Sequence, residues 1–289
     1  MLEIDMNIKI TLLLVLALFS VSTSPIVGKY LEDVSAMSIS FWRMFIGAAV
    51  LWIFSLFKKQ GEMTQKINLY RTIVAGIFLG FHFVLFFTAI KLTFIANATF
   101  LGTLAPLFTL LIEVLIFKRI YKLKTILGLL ITLFGAFIIL FTEFDLSENY
   151  TIGNYCAILC SLVIAISFLI GEKVRKSENT IVYTRTLYLS ASVTLFVLSF
   201  LFNESLTSIA LSDFYGLIFL GLVPTIIGHN SLYYAIKYVS PTIVATFPIG
   251  EPVLATILAY FIFGEIISSY IFLGGIFTII GLIFISSKK

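Results

Sequence analysis

The chain has 289 residues, 60% of them hydrophobic and 12% charged, with a formal net charge of +4. Soluble domains carry about 45–50% apolar and about 25% charged residues, and some apolar surface must always face outward. A water-soluble fold is excluded, and the reading is an integral membrane protein whose outer surface meets lipid.

A bilayer-crossing helix needs about 20 mostly apolar residues. Runs of that kind predict ten spans, at 9–30, 36–57, 70–90, 94–117, 124–142, 151–172, 182–202, 214–236, 241–263 and 268–286. They are too long for barrel strands and lack strict alternation. The first run resembles a signal peptide between Thr11 and Phe19, but Glu3 and Asp5 spoil the basic flank and the run continues past Ser24. It reads as a membrane helix.

Polar residues inside the spans are the candidate functional groups, because each is costly in lipid. In chain order, SVSTSP (20–25) places Ser22, Ser24 and a proline in the outer half of the first span, a candidate wall of a pathway. Lys29 and Arg43 read as helix-end bases that snorkel outward, with anion steering as the rival role for Arg43. GIFLG (76–80) reads as a helix-packing motif. His82, in the third span, is either a packing residue or a proton-titrating group. Asn97 and Thr99 follow in the fourth.

Glu113 lies close enough to the inner end to pair with Lys118 or Lys122, and reads as structural. Cys156 and Cys160 lie four apart within one apolar run and read as small packing residues. In the eighth span GHNSLYY (228–234) gathers His229, Asn230 and Tyr233 within two turns, which lipid contact disfavours. Thr246 and Glu251 follow in the ninth. Glu251 stands between Pro248 and Pro252, about ten residues or roughly 15 Å into the span at 1.5 Å per residue. A carboxylate at mid-depth costs roughly 2.5–3.5 kcal/mol. Pro252 removes a backbone donor and frees carbonyls around 247–249. Two readings of Glu251 stay open: a cavity-lining group that meets substrate or carries a proton, and a structural cap of the loosened backbone.

The distribution of bases sets the orientation. With the N-terminus inside, sixteen of the 19 Lys and Arg residues fall on the inner side and only Lys29, Arg43 and Lys91 on the outer. The outer segment EFDLSE (143–148) is acidic. The expectation is a multi-pass protein of the plasma (inner) membrane with both termini cytoplasmic.

A shift of 146 residues aligns the chain with itself. AIK (89–91) meets AIK (235–237), Pro106 meets Pro252, and IF (116–117) meets IF (262–263). LG (127–128) meets LG (273–274), Thr132 meets Thr278, and Gly135 meets Gly281. The halves, 1–146 and 147–289, then hold five spans each within one membrane domain. An odd number forces opposite orientations, so the predicted fold is all-α, ten transmembrane helices as two inverted five-helix repeats, an arrangement found in secondary transporters. Pro106, Pro248 and Pro252 are the expected hinges.

The stretch LGLVPTIIGHNSLYYAIKYVSPTIVATFPIGEPVLATILAYFIFGEIISSYIFLGGIFTIIG (220–281) resembles the second repeat of EamA-type transporters of the drug/metabolite transporter superfamily. The resemblance rests on the Ala-Ile-Lys end of the eighth span, the Glu-Pro pair, Gly264-Glu265 and the glycine-spaced last helix. PLF (106–108), Gly128 and Gly135 carry it into the first half. It implies ten helices, a central cavity and export or exchange of small metabolites. One departure is Lys118-Arg119 in the first half, where the second has Gly264-Glu265.

The function expected is a secondary transporter, an exporter or exchanger, of small polar or amphipathic metabolites such as amino acids, working by alternating access. The alternative is a transporter or flippase of lipid-linked or nucleotide-linked substrates, which calls for a basic cluster at mid-depth that the sequence lacks. An intramembrane enzyme would need paired acids, a His-rich metal motif or an activated nucleophile; the reading is not an enzyme. No cofactor is expected, and G-x-x-x-x-G-K-[ST] is nowhere in the chain, which argues against ATP drive. Expected partners are a small-molecule substrate, the lipid bilayer and protons as a candidate coupling ion. Nucleic acid is not expected, and no oligomeric state follows.

Overall fold

The computed structural model describes residues 8–140, 151–264 and 269–286, and all regular structure among them is helical. Within the described residues eight helices are long and apolar enough to cross a bilayer: Ile8–Tyr30, Ala36–Phe57, Lys66–Leu92, Asn97–Leu115, Thr151–Arg175, Thr180–Leu201, Leu211–Ala235 and Pro241–Ile262. Shorter apolar helices at Leu123–Ile138 and Phe272–Ser286 fall where the fifth and tenth runs were read. The acidic stretch 143–148, and Glu3, Asp5, Glu265, Lys288 and Lys289, lie outside the described residues.

Four of the spans are interrupted, the fourth and ninth at the expected prolines and the first and eighth where no break was read. The first comprises α1 (Ile8–Val21) and α2 (Thr23–Tyr30). Unbroken helices α3 (Ala36–Phe57) and α4 (Lys66–Leu92) follow, then a split span, α5 (Ile95–Gly102) and α6 (Ala105–Leu115). After α7 (Leu123–Leu140), α8 (Thr151–Arg175) and α9 (Thr180–Leu201), α10 (Leu211–Leu220) passes into a π-helical segment, Gly221–His229, and then α11 (Asn230–Ala235). Pro224 sits inside this widened turn. It has no N–H for the regular ladder, and the Thr225 hydroxyl instead donates to the Leu220 carbonyl five residues back at 2.8 Å. The ninth span is α12 (Pro241–Thr246), a 3-10 turn (Phe247–Gly250) and α13 (Glu251–Phe263), and the last helix is α14 (Ser269–Ser286).

Helix starts follow ordinary capping chemistry. Ser35 accepts from the Ser38 N–H ahead of α3, and Asn179 from the Ile181 N–H ahead of α9. Gly264 closes α13 at φ 69°, a left-handed conformation that glycine adopts without a Cβ clash.

Glycines set the closest helix contacts. At Gly76 a Cβ would lie 2.6 Å from the Leu187 carbonyl oxygen, so GIFLG lets α4 press against α9. Helices α7 and α14 interlock more tightly: a Cβ on Gly135 would come 2.5 Å from the Gly274 carbonyl oxygen, and one on Gly281 2.6 Å from that of Gly128. Residue numbers rise along one helix as they fall along the other, so the pair is antiparallel. Each contact joins residues whose repeat mates form the other.

Candidate functional site

The break in the ninth span comes from where its prolines lie. Pro248 and Pro252 occupy the first turns of the 3-10 segment and of α13, positions whose N–H has no intrahelical acceptor anyway. Glu251 is therefore the first residue of α13, directly after the 3-10 turn. In the first half the same device recurs: α5 ends at Gly102, and α6 begins at Ala105 with Pro106 in its first turn. Gly102 and Ala105 are the repeat mates of Pro248 and Glu251, and all four line one cavity.

That cavity has about 540 Å³ free of protein atoms. Its polar wall comprises Ser24, Arg43, His82, Thr103, His229 and Glu251, and Phe83, Phe86 and Phe168 supply an aromatic wall. Two of its lining residues, His82 and Phe168, lie well inside the long helices α4 and α8.

Arg43 corrects the sequence reading. It is the eighth residue of α3, 1% exposed, and turned inward instead of snorkelling. Its Nε donates to Thr225 Oγ1 at 2.9 Å and its Nη1 to Ser24 Oγ at 3.1 Å. The guanidinium carbon rests 4.1 Å from the centre of the Phe83 ring, a cation–π contact. Its Nη2 has no hydrogen-bond partner among the described residues, nor does Glu251 Oε1. No ion pair closes between them within 4.0 Å. A signal was present in the sequence: Ser40 and Gly47, one turn away on either side, give the Arg43 face small residues where a lipid-facing stripe would be bulky.

The two histidines converge, with ring centres 6.2 Å apart. His82 Nδ1 lies 3.0 Å from the Cys160 carbonyl oxygen and 3.2 Å from its sulfur, which ties α4 to α8. His229 Nδ1 has no partner among the described residues. The His229 ring meets Phe83, its mate at the 146-residue shift, with centroids 5.1 Å apart.

The other predicted residues lie off the cavity wall. The Ser22 hydroxyl donates to the Leu18 carbonyl at 2.7 Å and Thr246 to that of Thr242 at 2.7 Å. Asn97 donates to Thr93 Oγ1 and Asn154 Oδ1, joining α5 to α8. The Tyr233 hydroxyl lies 2.9 Å from Ser167 Oγ between α11 and α8. Asn230, half-buried, has its Oδ1 without a partner among the described residues. Among the described residues no three His, Cys, Asp or Glu side chains gather as a metal site.

A second buried polar cluster lies two turns from the cavity along α6. Glu113, fully buried, meets Arg119, one residue beyond the expected Lys118, and Arg119 also reaches the Glu172 carboxylate at 2.7 and 2.8 Å. The Tyr121 hydroxyl donates to Glu113 Oε2 at 2.5 Å. Burial, and then the adjacent carboxylate, push the Tyr121 hydroxyl above its ordinary range.

A model of the EamA-like transporter family matches the chain twice, over residues 8–141 and 151–287. The chain belongs to the EamA-like transporter family. It is 25% identical over 265 residues to an uncharacterized transporter of Bacillus subtilis, YdfC, covering 91% of this chain and 86% of that one. It is 26% identical over 257 residues to an uncharacterized transporter of Archaeoglobus fulgidus, covering 86% of this chain and 85% of that one. A solved crystal structure shares the fold with a TM-score of 0.80 over 96% of each chain, at 19% identity. The protein is a multi-pass membrane transporter, and polar groups from both matched halves line its cavity.

Proposed function

We propose that this transporter moves a small polar or amphipathic metabolite, such as an amino acid, by alternating access, as an exporter or exchanger in the plasma membrane. The observation that carries this is the meeting of two proline-marked helix breaks, one from each half, at a single cavity lined by an arginine and a glutamate. Non-helical backbone at membrane depth is tolerated where it lines a cavity. Broken helices at a midplane site are the usual construction of secondary transporters.

The ten-span, inverted-repeat arrangement belongs to the same proposal. Helices α7 and α14, at 18 residues each, run about 27 Å at 1.5 Å per residue, close to the roughly 30 Å apolar core of a bilayer. Their antiparallel pairing of repeat mates supports halves of opposite orientation. The bias of Lys and Arg supports cytoplasmic termini. Glu113, Arg119 and Glu172, with Thr242, join the halves at one end of the cavity. In alternating access this cluster holds that end shut and separates when the other end closes.

The test is substrate counterflow in liposomes holding the purified protein, across a panel of amino acids and other small metabolites. Tyr233→Phe, off the cavity wall, is expected to retain transport, whereas His229→Ala and Glu251→Gln alter it. Folded protein that moves no class of metabolite defeats the proposal.

A further inference from the structure

We infer that Arg43 is the substrate-selecting residue of the cavity: it anchors one carboxylate, and Glu251 decides whether the rest of that substrate must carry a positive charge. This rests on the transport reading above and assigns roles within that site.

Arg43 is held in a way that leaves one edge available. Two of its three nitrogens are occupied by neutral hydroxyls, Thr225 and Ser24, and its face lies on Phe83. The Thr225 hydroxyl spends its own proton on Leu220, so it can only accept from Arg43. Because Pro224 widens the turn there, the holder of the guanidinium is fixed by backbone geometry. The third nitrogen, Nη2, is buried and unpartnered in a residue that lines the cavity. A purely structural arginine this buried would be expected to pair fully, because leaving a buried charged donor unmet is costly. A planar N–H edge in a buried pocket matches a carboxylate oxygen, and charge-assisted bonds of this kind are roughly twice as strong as neutral ones.

Glu251 shows the complementary vacancy. Its Oε1 is also buried and unpartnered, and it lines the same cavity without closing on Arg43. Titratable groups near the pair include His82 on α4 and His229 in the π segment, which line the cavity, Cys160 on α8, and Tyr188, whose hydroxyl donates to the Thr225 carbonyl at 3.3 Å. An ionised Glu251 offsets the charge of Arg43 in the cavity both line. A bare anion added to Arg43 leaves the cavity with an unbalanced charge in a low-dielectric setting, which is costly. A substrate that brings an ammonium to Glu251 leaves it balanced. Phe86, Ile164, Phe168 and Leu232 remain for an apolar side chain.

The experiment compares three probes that share one skeleton: L-leucine, its deaminated analogue 4-methylpentanoate, and L-leucinamide. Each is measured by thermal stabilisation of the purified protein, which reads binding without transport, and by competition in the counterflow assay. The parent is expected to be stabilised most by L-leucine. Arg43→Gln should erase the advantage of acid over amide, with Arg43→Lys keeping part of it. Glu251→Gln should bind 4-methylpentanoate several-fold more tightly than the parent and L-leucine several-fold more weakly. That gain cannot come from misfolding, so the inference remains open to test even if Arg43→Gln does not fold.

A parent unaffected by all three probes overturns the inference, as does an Arg43→Gln variant that loses acid and amide alike, or a Glu251→Gln variant with unchanged preference. Absence of counterflow alongside this binding pattern counts against the transport reading and leaves the assignment of Arg43 standing.

Discussion

Glu113 in the first matched half accepts from Thr242 in the second twice, from its side-chain hydroxyl and, at 3.3 Å, from its backbone N–H. The Thr242 hydroxyl also lies 3.0 Å from Thr109 Oγ1, one turn back along α6. This line of contacts runs from the acidic cluster toward Ala105 on the cavity wall. Breaking one side of a buried charged pair costs about 3–5 kcal/mol. Arg119 keeps Glu172, so Glu113→Ala should fall at the lower end of that range, and Glu113→Gln, which retains an acceptor for Thr242, should lose less. Unfolding in mixed micelles measures both. Equal stability of parent and Glu113→Ala would refute the account of this cluster.

The α7–α14 seam predicts an unusual result for a glycine substitution. Alanine is favoured over glycine in a helix by about 0.8–1.0 kcal/mol. At Gly135 the added methyl would meet the backbone of α14, which cannot rotate away. Overpacking of this kind costs typically about 1–3 kcal/mol. Gly135→Ala should therefore lower the melting temperature. Gly61→Ala, where a Cβ meets nothing within 4 Å, should leave it nearly unchanged.

Glu178, between α8 and α9, predicts an acid sensitivity. Burial opposes its ionisation, but hydrogen bonds from Asn68 at 2.8 Å and from the Thr64 hydroxyl and N–H at 2.7 and 3.1 Å outweigh it. Its carboxyl is held below the ordinary value of 4.5. A depressed folded value means the stabilisation is fully present above that ordinary value and is lost as pH falls through the folded one. Melting temperature measured across pH 7 to 3 should fall on the acid side for the parent. Glu178→Gln should start lower at neutral pH and lose less on acidification. A parallel decline in the two proteins would show that this carboxylate is not the sensor.

The legible part of the cavity wall was Ser24, His82, His229, Pro248 and Glu251, each unusual within an apolar run. Pro106 and Pro252 marked the two breaks, and Glu251 was found because a charge beside a break stands out in an apolar run. Pro224 was as visible, but what matters there is the π-helical widening and the Thr225 hydroxyl it presents, which depend on the turn actually formed. Ser22, Asn97, Tyr233 and Thr246 were chosen as polar groups within apolar spans. Polarity alone does not distinguish a cavity wall from other sites: Asn97 and Tyr233 bond across helices, and Ser22 and Thr246 bond back to carbonyls of their own span.

The sequence by itself determined that this chain is a helical membrane protein built on a repeat with a break in each half. Composition, run length, proline position and self-alignment are local or additive properties, readable without knowing any neighbour. Only the tertiary structure decided that Arg43 turns inward, that His82 and His229 meet, and that Glu113 reaches across to Thr242. Each depends on how a helix is rotated about its axis and which helix it faces. That rotation is set by contacts between residues far apart in the chain, such as the glycine seam of α7 and α14.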